Sequence, residues 1–486
     1  MKCKIVHNNQ SYLKKLTTNV ENALAESSPD NSRNQAYVAV QWGKTTTSNG
    51  AYDYICNTTQ AIGNATKRLR MFRILKLNGI EVPAIRKTGN GSSEKIRYQI
   101  QQVHAVRSYR VFVFQFQTLI MYRSNDNLVW LSNKTPALNN KFYEVPESEN
   151  RETQRVARMA ERAIYSLGLD FGSVWIGISS ARKQIVLNVE ASPTLNPRRE
   201  QLYRNAIVNF VKQYTADLET TSPVIGADLE FMFKNREGKM VLASKYFSKK
   251  GKIGCDARTI NRNLSRRPLA EIRPDPSSDP EQVVENIRNI MHEAILKVNS
   301  DKIQWLAGSM PFKGYSIGGH IHFSNVKLNS AITRALDNYL AVPLVLIEEP
   351  STAKQRRIRY GFLGDVRTQF HGGFEYRTLG SWVLSPQISK AVLFLSQFIV
   401  KHYTKLDTDI FYSADHQRDF YTIDREQMKN HFRRAWAELE QIPGFFSIQR
   451  HVNIIPEMIE ADRKWDEKRD FKAQWGFQAV KRAKSG

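Results

Sequence analysis

Apolar and polar residues alternate with a period of two in four short stretches of the second half of the chain, at residues 225–231, 269–274, 318–324 and 372–377. Because successive side chains of a strand point to opposite faces, this period predicts β-strands. Each stretch also places carboxylates or histidines inside an otherwise apolar pattern. The sequence therefore predicts strands that bring ionisable groups to a shared site.

Helical patterns separate these strands. Asp279 and Pro280 form a helix start signal, and apolar residues such as Val284, Ile287 and Met291 then recur on one face. A similar pattern follows Pro386. The second half is therefore predicted to be an α+β domain, with an antiparallel sheet curved around the shared site and helices behind it.

The first half contains a different succession of elements. The patterns predict a strand at residues 37–42, a Gly, Ser and Thr-rich loop through residue 50, a helix at residues 65–77 closed by Asn78 and Gly79, and a strand at residues 109–114. A polar connector follows near residue 219. We expect a domain at residues 1–219, a second at residues 220–462, and a basic aromatic tail at residues 463–486.

The formal net charge of +24 favours anionic partners such as nucleotides or nucleic acid. The tail carries eight Lys or Arg against three Asp or Glu, with Trp465, Phe471, Trp475 and Phe477 interleaved. This mixture suits the backbone and bases of nucleic acid. A basic helix that docks on its own protein or on a neighbouring subunit has the same composition, so both interpretations stay open.

Three cysteines without metal-binding spacing predict neither a disulfide framework nor a zinc site. The N-terminus lacks the apolar stretch of a signal peptide, and no segment approaches the roughly 20 apolar residues that span a bilayer. We therefore expect a cytoplasmic protein without a membrane partner.

The ionisable groups of the predicted strands suggest a cation site. A buried carboxylate costs several kcal/mol unless it is paired or bound to metal. Carboxylates with imidazole suit Mg²⁺ or Mn²⁺ better than zinc. Arg273 and Arg377 follow Glu271 and Glu375 by two residues and so share their face. These groups fit simple salt bridges and also a site for Mg·ATP.

Each candidate has a structural alternative when it is considered singly. His320 or His322 fits a hydrogen-bonded structural histidine, and Asp256 or Asp365 fits a turn. The basic run at residues 356–359 is typical of a solvated face.

The order of the motifs resembles the COOH–NH2 ligase type 2 family, whose members are phage and bacterial relatives of glutamine synthetase and glutamate–cysteine ligase. The resemblance covers residues 222–400, and its strength lies in the order rather than in any single motif. The six motifs are Gly-Ala-Asp-Leu-Glu-Phe from Gly226, Gly-Cys-Asp from Gly254 and Ala-Glu-Ile-Arg-Pro from Ala270. They continue with Gly-Gly-His-Ile-His-Phe from Gly318, Tyr-Gly-Phe-Leu-Gly-Asp-Val-Arg from Tyr360 and Gly-Gly-Phe-Glu-Tyr-Arg-Thr from Gly372.

This resemblance implies an ATP-dependent enzyme with Mg²⁺ or Mn²⁺ that forms an amide bond through an acyl phosphate. The implied substrates are an amino acid, a peptide or an amine-bearing polymer, and a homo-oligomer fits the family. If the chain is phage-encoded, it acts in the cytoplasm of the bacterial host. The implied metal ligands are Asp228, Glu230, Glu271, His320 and Glu375; His322, Arg359 and Arg367 are implied to bind ATP; the implied catalytic residues are Arg273, Arg367 and Arg377.

The first half resembles an ATP-grasp domain over residues 36–212. Only residues 85–107 fill the interval where that fold has a full central subdomain, and residues 86–93 are the remaining candidate for a phosphate-covering loop. Asn188 and Glu190 stand where the family has Glu-x-Asn, and Trp175 replaces an upstream Asp. We therefore expect a degenerate ATP-grasp-like scaffold.

A non-catalytic alternative stays open beside the ligase. The net charge of +24, the basic aromatic tail and the departures in the first half also fit a nucleic-acid-binding or virion-associated protein that retains the ligase fold.

Overall fold

A computed structural model describes residues 2–7, 11–25, 37–43, 52–88, 97–131, 138, 141–219, 222–357, 359–370 and 372–477. Most of the predicted loop ending at residue 50, part of the loop at residues 86–93 and the end of the tail lie outside these residues. The chain divides into two compact units. Unit 1 is Met1–Glu219 with Phe411–Gln417, and unit 2 is Thr220–Ile410 with Arg418–Gly486.

The described part of the first 219 residues contains twelve strands and five α-helices, with seven strands in succession between α3 and α4. The strands are β1 (Lys2–His7), β2 (Tyr37–Trp42), β3 (Tyr54–Cys56), β4 (Ile85–Thr88), β5 (Arg97–Ile100), β6 (Val103–Ala105), β7 (Arg107–Phe114), β8 (Gln117–Ser124), β9 (Leu128–Trp130), β10 (Tyr143–Glu144), β11 (Phe171–Ile178) and β12 (Gln184–Glu190). The helices are α1 (Ser11–Ala25), α2 (Thr59–Thr66), α3 (Arg68–Leu77), α4 (Arg151–Ser166) and α5 (Pro197–Glu219).

Unit 1 contains a parallel sheet and an antiparallel sheet. The first has the order β1-β2-β3, and the second has the order β10-β8-β7-β11-β12. Helix α4 begins with a capping box between Asn150 and Thr153, and its buried residues Val156 and Ala160 belong to the core that includes the second sheet. The strands predicted at residues 37–42 and 109–114 are confirmed.

The helix predicted at residues 65–77 is two helices. Lys67 has extended backbone angles, so α2 ends before it and α3 begins after it. The predicted end is correct: Asn78 caps α3, and Gly79 has a positive φ of 68°.

The rest of the chain forms eight strands and nine helices among the described residues. The strands are β13 (Val224–Lys234), β14 (Met240–Val241), β15 (Ile253–Cys255), β16 (Leu269–Ile272), β17 (Gln304–Leu306), β18 (Gly319–Ser324), β19 (Val366–Thr368) and β20 (Phe374–Tyr376). The helices are α6 (Pro280–Val298), α7 (Ser330–Leu336), α8 (Val342–Ile347), α9 (Pro350–Arg357), α10 (Pro386–His402), α11 (Ala414–Thr422), α12 (Arg425–Gln441), α13 (Phe445–Val452) and α14 (Ile454–Glu460).

The sheet of unit 2 has the order β15-β16-β13-β18-β20-β19, with β14 and β17 paired to β13, and neighbouring strands are antiparallel. The predicted antiparallel sheet is therefore confirmed, while its likeness to glutamine synthetase stays a prediction. The helix starts at Pro280 and Pro386 are also confirmed, because Asp279 and Ser385 cap α6 and α10 through their side chains.

The helical run Ser330–Ile347, which joins α7 to α8, is long and apolar enough to span a membrane by length and composition, so the expectation that no segment approaches this length is wrong. In this fold 94% of it is buried. Core helices of folded domains are often as long and as apolar as this run. Because it is buried, the run is a core element of this fold.

The first part of the predicted tail is packed into unit 2. Phe471 lies against Phe231 and Trp305 with ring centroids 5.7 and 6.1 Å apart, and the Trp475 indole donates a hydrogen bond of 2.8 Å to the Val383 carbonyl. Trp465 is also buried. The docking interpretation therefore holds for these three rings, which leave little exposed surface for base stacking.

Candidate active site

The register of the unit 2 sheet brings the predicted acids and histidines into one row. Glu230 on β13 lies opposite Glu271 on β16, Asp228 lies opposite His320 on β18, and His322 lies opposite Glu375 on β20. Paired residues of neighbouring strands share a face. Residues Leu229 and Phe231, which alternate with the acids, are fully buried on the other face.

Asp228, His320 and Glu375 form the centre of this row. One ligand atom from each lies within 4.8 Å of the others. His320 Nδ1 lies 3.0 Å from Glu375 Oε1, and His322 Nε2 lies 3.1 Å from Asp228 Oδ2. Two carboxylates and an imidazole at this spacing suit a hard divalent cation such as Mg²⁺ or Mn²⁺.

The charge state of these acids is set by competing effects. Burial alone raises the pKa of Glu375, but hydrogen bonding to His320 and the charges of Arg377 and Arg367 outweigh it and lower the pKa to about 2. Burial likewise opposes ionisation of Asp228, and the close approach of His322 reverses this and lowers the pKa. Both carboxylates are therefore held in the charged form that binds metal.

The pKa of Glu230 is shifted in the opposite direction from the pKa values of Glu375 and Asp228. Its side chain is buried, and burial raises its pKa although His320 opposes the shift. Glu230 Oε2 accepts a hydrogen bond of 2.7 Å from the Gly318 amide. Its cross-strand neighbour Glu271 forms an ion pair with Arg273. These two acids flank the central group at the β16 side of the sheet.

Three of the predicted arginines lie beside the acids. Arg367 forms an ion pair with Glu375 and is 49% exposed, so a ligand can reach its guanidinium. Arg377 Nε lies 3.2 Å from Glu375 Oε1. Arg273 pairs with Glu271 and also donates to the Gly251 carbonyl at 2.8 Å.

A pocket of about 640 Å³ opens beside this row. The predicted residues Glu230, Arg359 and Arg377 line it, and Asp256 lies there as well. Asp256 Oδ2 also accepts a hydrogen bond of 2.7 Å from the Arg258 amide, as predicted for a turn residue. The other lining residues are Arg258, Leu269, Met310, Lys313, Gly314, Ser316, Gln355 and Tyr360.

Tyr360 is a site residue that the sequence analysis did not select. Its hydroxyl contacts His320 Nε2 and lies 3.5 Å from both Glu230 Oε1 and Arg377 Nη2. It opens the motif Tyr-Gly-Phe-Leu-Gly-Asp-Val-Arg, whose glycines Gly361 and Gly364 have φ of 73° and 68°. A tyrosine followed by two turn glycines within four residues was the available signal.

The run at residues 356–359 is not simply a solvated basic face. Arg356 is fully buried and donates hydrogen bonds of 2.7 Å to the carbonyls of Ile317 and Thr378. Arg357 is also buried and pairs with Glu348 at 2.7 Å. Buried backbone carbonyls need donors, and the Arg356 guanidinium provides them here. Only Arg359 of the described residues in this run is exposed.

In unit 1, the carboxylate on the strand that departs from the ATP-grasp pattern has a protein cation as its partner. Glu190 forms an ion pair with Arg110, and Ser173 Oγ donates to it at 3.2 Å. Trp175 is buried and lies opposite Asn188 in the register. A separate pocket of about 470 Å³ is lined by Gly43, Ile62, Ala65, Thr66, Arg68, Asn188, Val189, Glu190, Ala191 and Ser192.

Solved structures similar to this chain are ATP-grasp ligases. The chain is 10% identical to the ligase PsnB complexed with a minimal precursor, Mg and ADP, over 43% of this chain and 96% of that one, with a TM-score of 0.30. It is 7% identical to the macrocyclase MdnC of Microcystis aeruginosa bound to the precursor peptide MdnA, over 44% and 99%, with a TM-score of 0.30.

A third similar structure is the D-alanine–D-alanine ligase of Bacillus anthracis complexed with ATP, at 12% identity over 45% of this chain and 99% of that one, with a TM-score of 0.30. Scores this low do not establish a common fold, so the ATP-grasp-like interpretation stays a prediction. No curated protein sequence matches the chain.

The family model for phage phiEco32-like COOH–NH2 ligase type 2 matches residues 225–477. The match includes every strand of the carboxylate and histidine row. Because it also covers more than half of the chain, the protein belongs to this family of ATP-dependent amide-forming ligases.

Proposed function

We propose that unit 2 joins a carboxylate to an amine through an acyl phosphate. The observation that carries this proposal is the approach of Asp228, His320 and Glu375 to within 4.8 Å beside a pocket that contains Arg359 and Arg377. The substrate carboxylate attacks the γ-phosphorus of ATP, and ADP leaves. The amine then attacks the acyl carbon, phosphate leaves, and the amine loses a proton.

The central group fits a divalent cation, since its donors are carboxylate oxygens and an imidazole nitrogen held close together. Asp228, His320 and Glu375 would hold the ion, with Glu230 and Glu271 beside them. When bound, Mg²⁺ supplies positive charge that stabilises the phosphate oxygens during transfer.

Arginine side chains stabilise the remaining negative charge of the phosphate and carboxylate groups. Arg377 is oriented by Glu375 and lines the pocket, so it can stabilise the transferred phosphoryl group. Arg367 and Arg359 are exposed enough to bind the phosphates of ATP, and Arg273 can bind a substrate carboxylate. Tyr360 holds His320 and Arg377 in position through its hydroxyl.

Calorimetry of ATP binding with and without Mg²⁺ tests the assignment to unit 2. We expect Glu271→Ala to lose Mg²⁺-dependent binding and Glu190→Ala in unit 1 to retain it. Loss only in Glu190→Ala would place the nucleotide site in unit 1. Absence of ATP binding by the wild type, also after incubation with candidate carboxylates, would count against the ligase.

Turnover measurements test the metal ligands separately. Glu230→Gln, Glu271→Gln and Glu375→Gln should each abolish ATP-dependent ligation and leave the far-ultraviolet circular dichroism unchanged. If two of the three retained normal turnover, the ligand assignment would be wrong.

A further inference from the structure

Residues 245–267 of unit 2, named here the basic loop, carry a large excess of positive charge. They contain eight Lys or Arg residues and one acid, Asp256. Seven of the eight cations are exposed, and Arg267 is half-buried. The cations are Lys245, Lys249, Lys250, Lys252, Arg258, Arg262, Arg266 and Arg267.

The basic loop borders the proposed active site at two places. The Gly251 carbonyl accepts a hydrogen bond from Arg273, the partner of Glu271. Further along the loop, Arg258 lines the pocket, donates to the Gly314 carbonyl and lies 4.9 Å from the ring of Tyr315. A ligand that enters the pocket therefore meets one cation of the basic loop, Arg258, directly.

Intramolecular pairing does not account for this charge. Lys252 pairs with Asp275. In the part of the chain that the structure describes, Lys249, Lys250, Arg262 and Arg266 have no carboxylate within 4.0 Å. Unpaired like charges repel one another and add no stability to the fold. The basic loop therefore offers positive charge that the described carboxylates do not neutralise.

We infer that the basic loop binds an acidic peptide, and that this peptide is a substrate of the ligase. The inference rests on the proposed function, because an amide-forming reaction consumes a carboxylate and an amine, and a peptide carries both. Acidic side chains next to the reacting group would pair with the loop while that group occupies the pocket. Exposed ion pairs of this kind mainly steer the substrate and set its specificity.

The side chains of the loop favour a peptide over nucleic acid. Binding of single strands combines cations with exposed aromatic rings on which bases stack. The aromatic residues of the loop are packed: Phe247 is buried, and Tyr246 lies against Phe233 at 5.8 Å. The large apolar residue that the loop exposes is Leu264, which suits contact with aliphatic side chains.

Fluorescence anisotropy with the full chain tests the inference. The probes are a labelled oligoglutamate peptide and a labelled single-stranded oligonucleotide of the same charge. The loop variant combines Lys249→Ser, Lys250→Ser, Arg262→Ser and Arg266→Ser. The control variant removes the same charge from exposed lysines of unit 2 outside the loop, through Lys297→Ser, Lys302→Ser, Lys401→Ser and Lys405→Ser.

We expect the loop variant to bind the peptide about tenfold more weakly than the wild type, because four exposed ion pairs each contribute modestly. The control variant should bind like the wild type, and thermal melts should show that both are folded. Equal peptide affinity in the two variants, no peptide binding by the wild type, or tighter binding of the oligonucleotide through the same four residues would overturn the inference. Mg²⁺-dependent ATP binding, measured in parallel, shows whether the ligase proposal fails separately.

Discussion

His320 Nδ1 lies 3.0 Å from Oε1 of Glu375, and both side chains are almost completely buried. The two residues occupy adjacent strands, β18 and β20, so their contact depends on the register of the sheet. Arg367 and Arg377 contact the same carboxylate from its other sides. A buried acid with this many cationic partners stays ionised at every pH at which the enzyme is expected to work.

Glu375→Gln should change the dependence of stability on pH. The folded state lowers the pKa of Glu375 from 4.5 to about 2, so its ionisation stabilises the fold above pH 4.5 and this stabilisation is lost as the pH falls toward 2. The variant lacks this carboxylate, so its free energy of unfolding should fall less than that of the wild type as the pH decreases from 4.5 toward 2. Urea unfolding at several pH values in this window measures the effect. Parallel curves for wild type and variant would contradict the assigned pairing.

Glu230→Gln should separate stability from activity. Burial raises the pKa of Glu230, so the free energy of unfolding decreases as the pH rises through the folded-state pKa. The neutral amide avoids this penalty and can still accept the hydrogen bond from Gly318. We expect the variant to be more stable than the wild type at neutral pH and inactive. A less stable variant in urea unfolding at neutral pH would show that the charge is compensated.

Arg356→Met should destabilise unit 2 strongly. The substitution leaves the buried carbonyls of Ile317 and Thr378 without their donor, and each unsatisfied group costs about 1–3 kcal/mol. The thermal midpoint should fall, and ligation should fall with it because Gly318 follows one of these carbonyls directly. Lys405→Met, at an exposed position, is the matched control. Equal midpoints for the two variants would show that Arg356 is dispensable.

Trp475→Ala should reduce stability and leave any affinity for nucleic acid unchanged. The ring is buried and its indole donates to the Val383 carbonyl, so truncation costs about 3–5 kcal/mol. The alternative in which the aromatic tail binds bases predicts the reverse: reduced affinity and little change in stability. Denaturant unfolding and a filter-binding assay at low salt distinguish the two.

The sequence predicted the strands of the site but not how they meet. Alternation of apolar and polar residues identified the face that Asp228 and Glu230 share, because the period of a strand is a local property. Which strand lies next to which is set by long-range pairing, so the contact of Asp228 with His320 and Glu375 needed the structure.

Tyr360 and Arg356 were missed for a related reason. Both lie at or near the end of α9, where turns with no simple periodicity carry the chain back to the sheet. A run of arginines usually indicates solvent exposure. Arg356 instead donates to buried carbonyls 22 and 39 positions away along the chain, and this contact is not visible in the local sequence. The departure of unit 1 from the ATP-grasp pattern was easier to predict, because the sequence itself shows Trp175 where that pattern has an Asp.

The pairing of Glu190 with Arg110 also constrains how unit 1 can change by mutation. Restoring an acid at Trp175 would still leave Glu190 occupied by the guanidinium, and removing Arg110 alone would leave Glu190 without its cation. Metal binding by Glu190 would therefore require that Arg110 move away from this carboxylate.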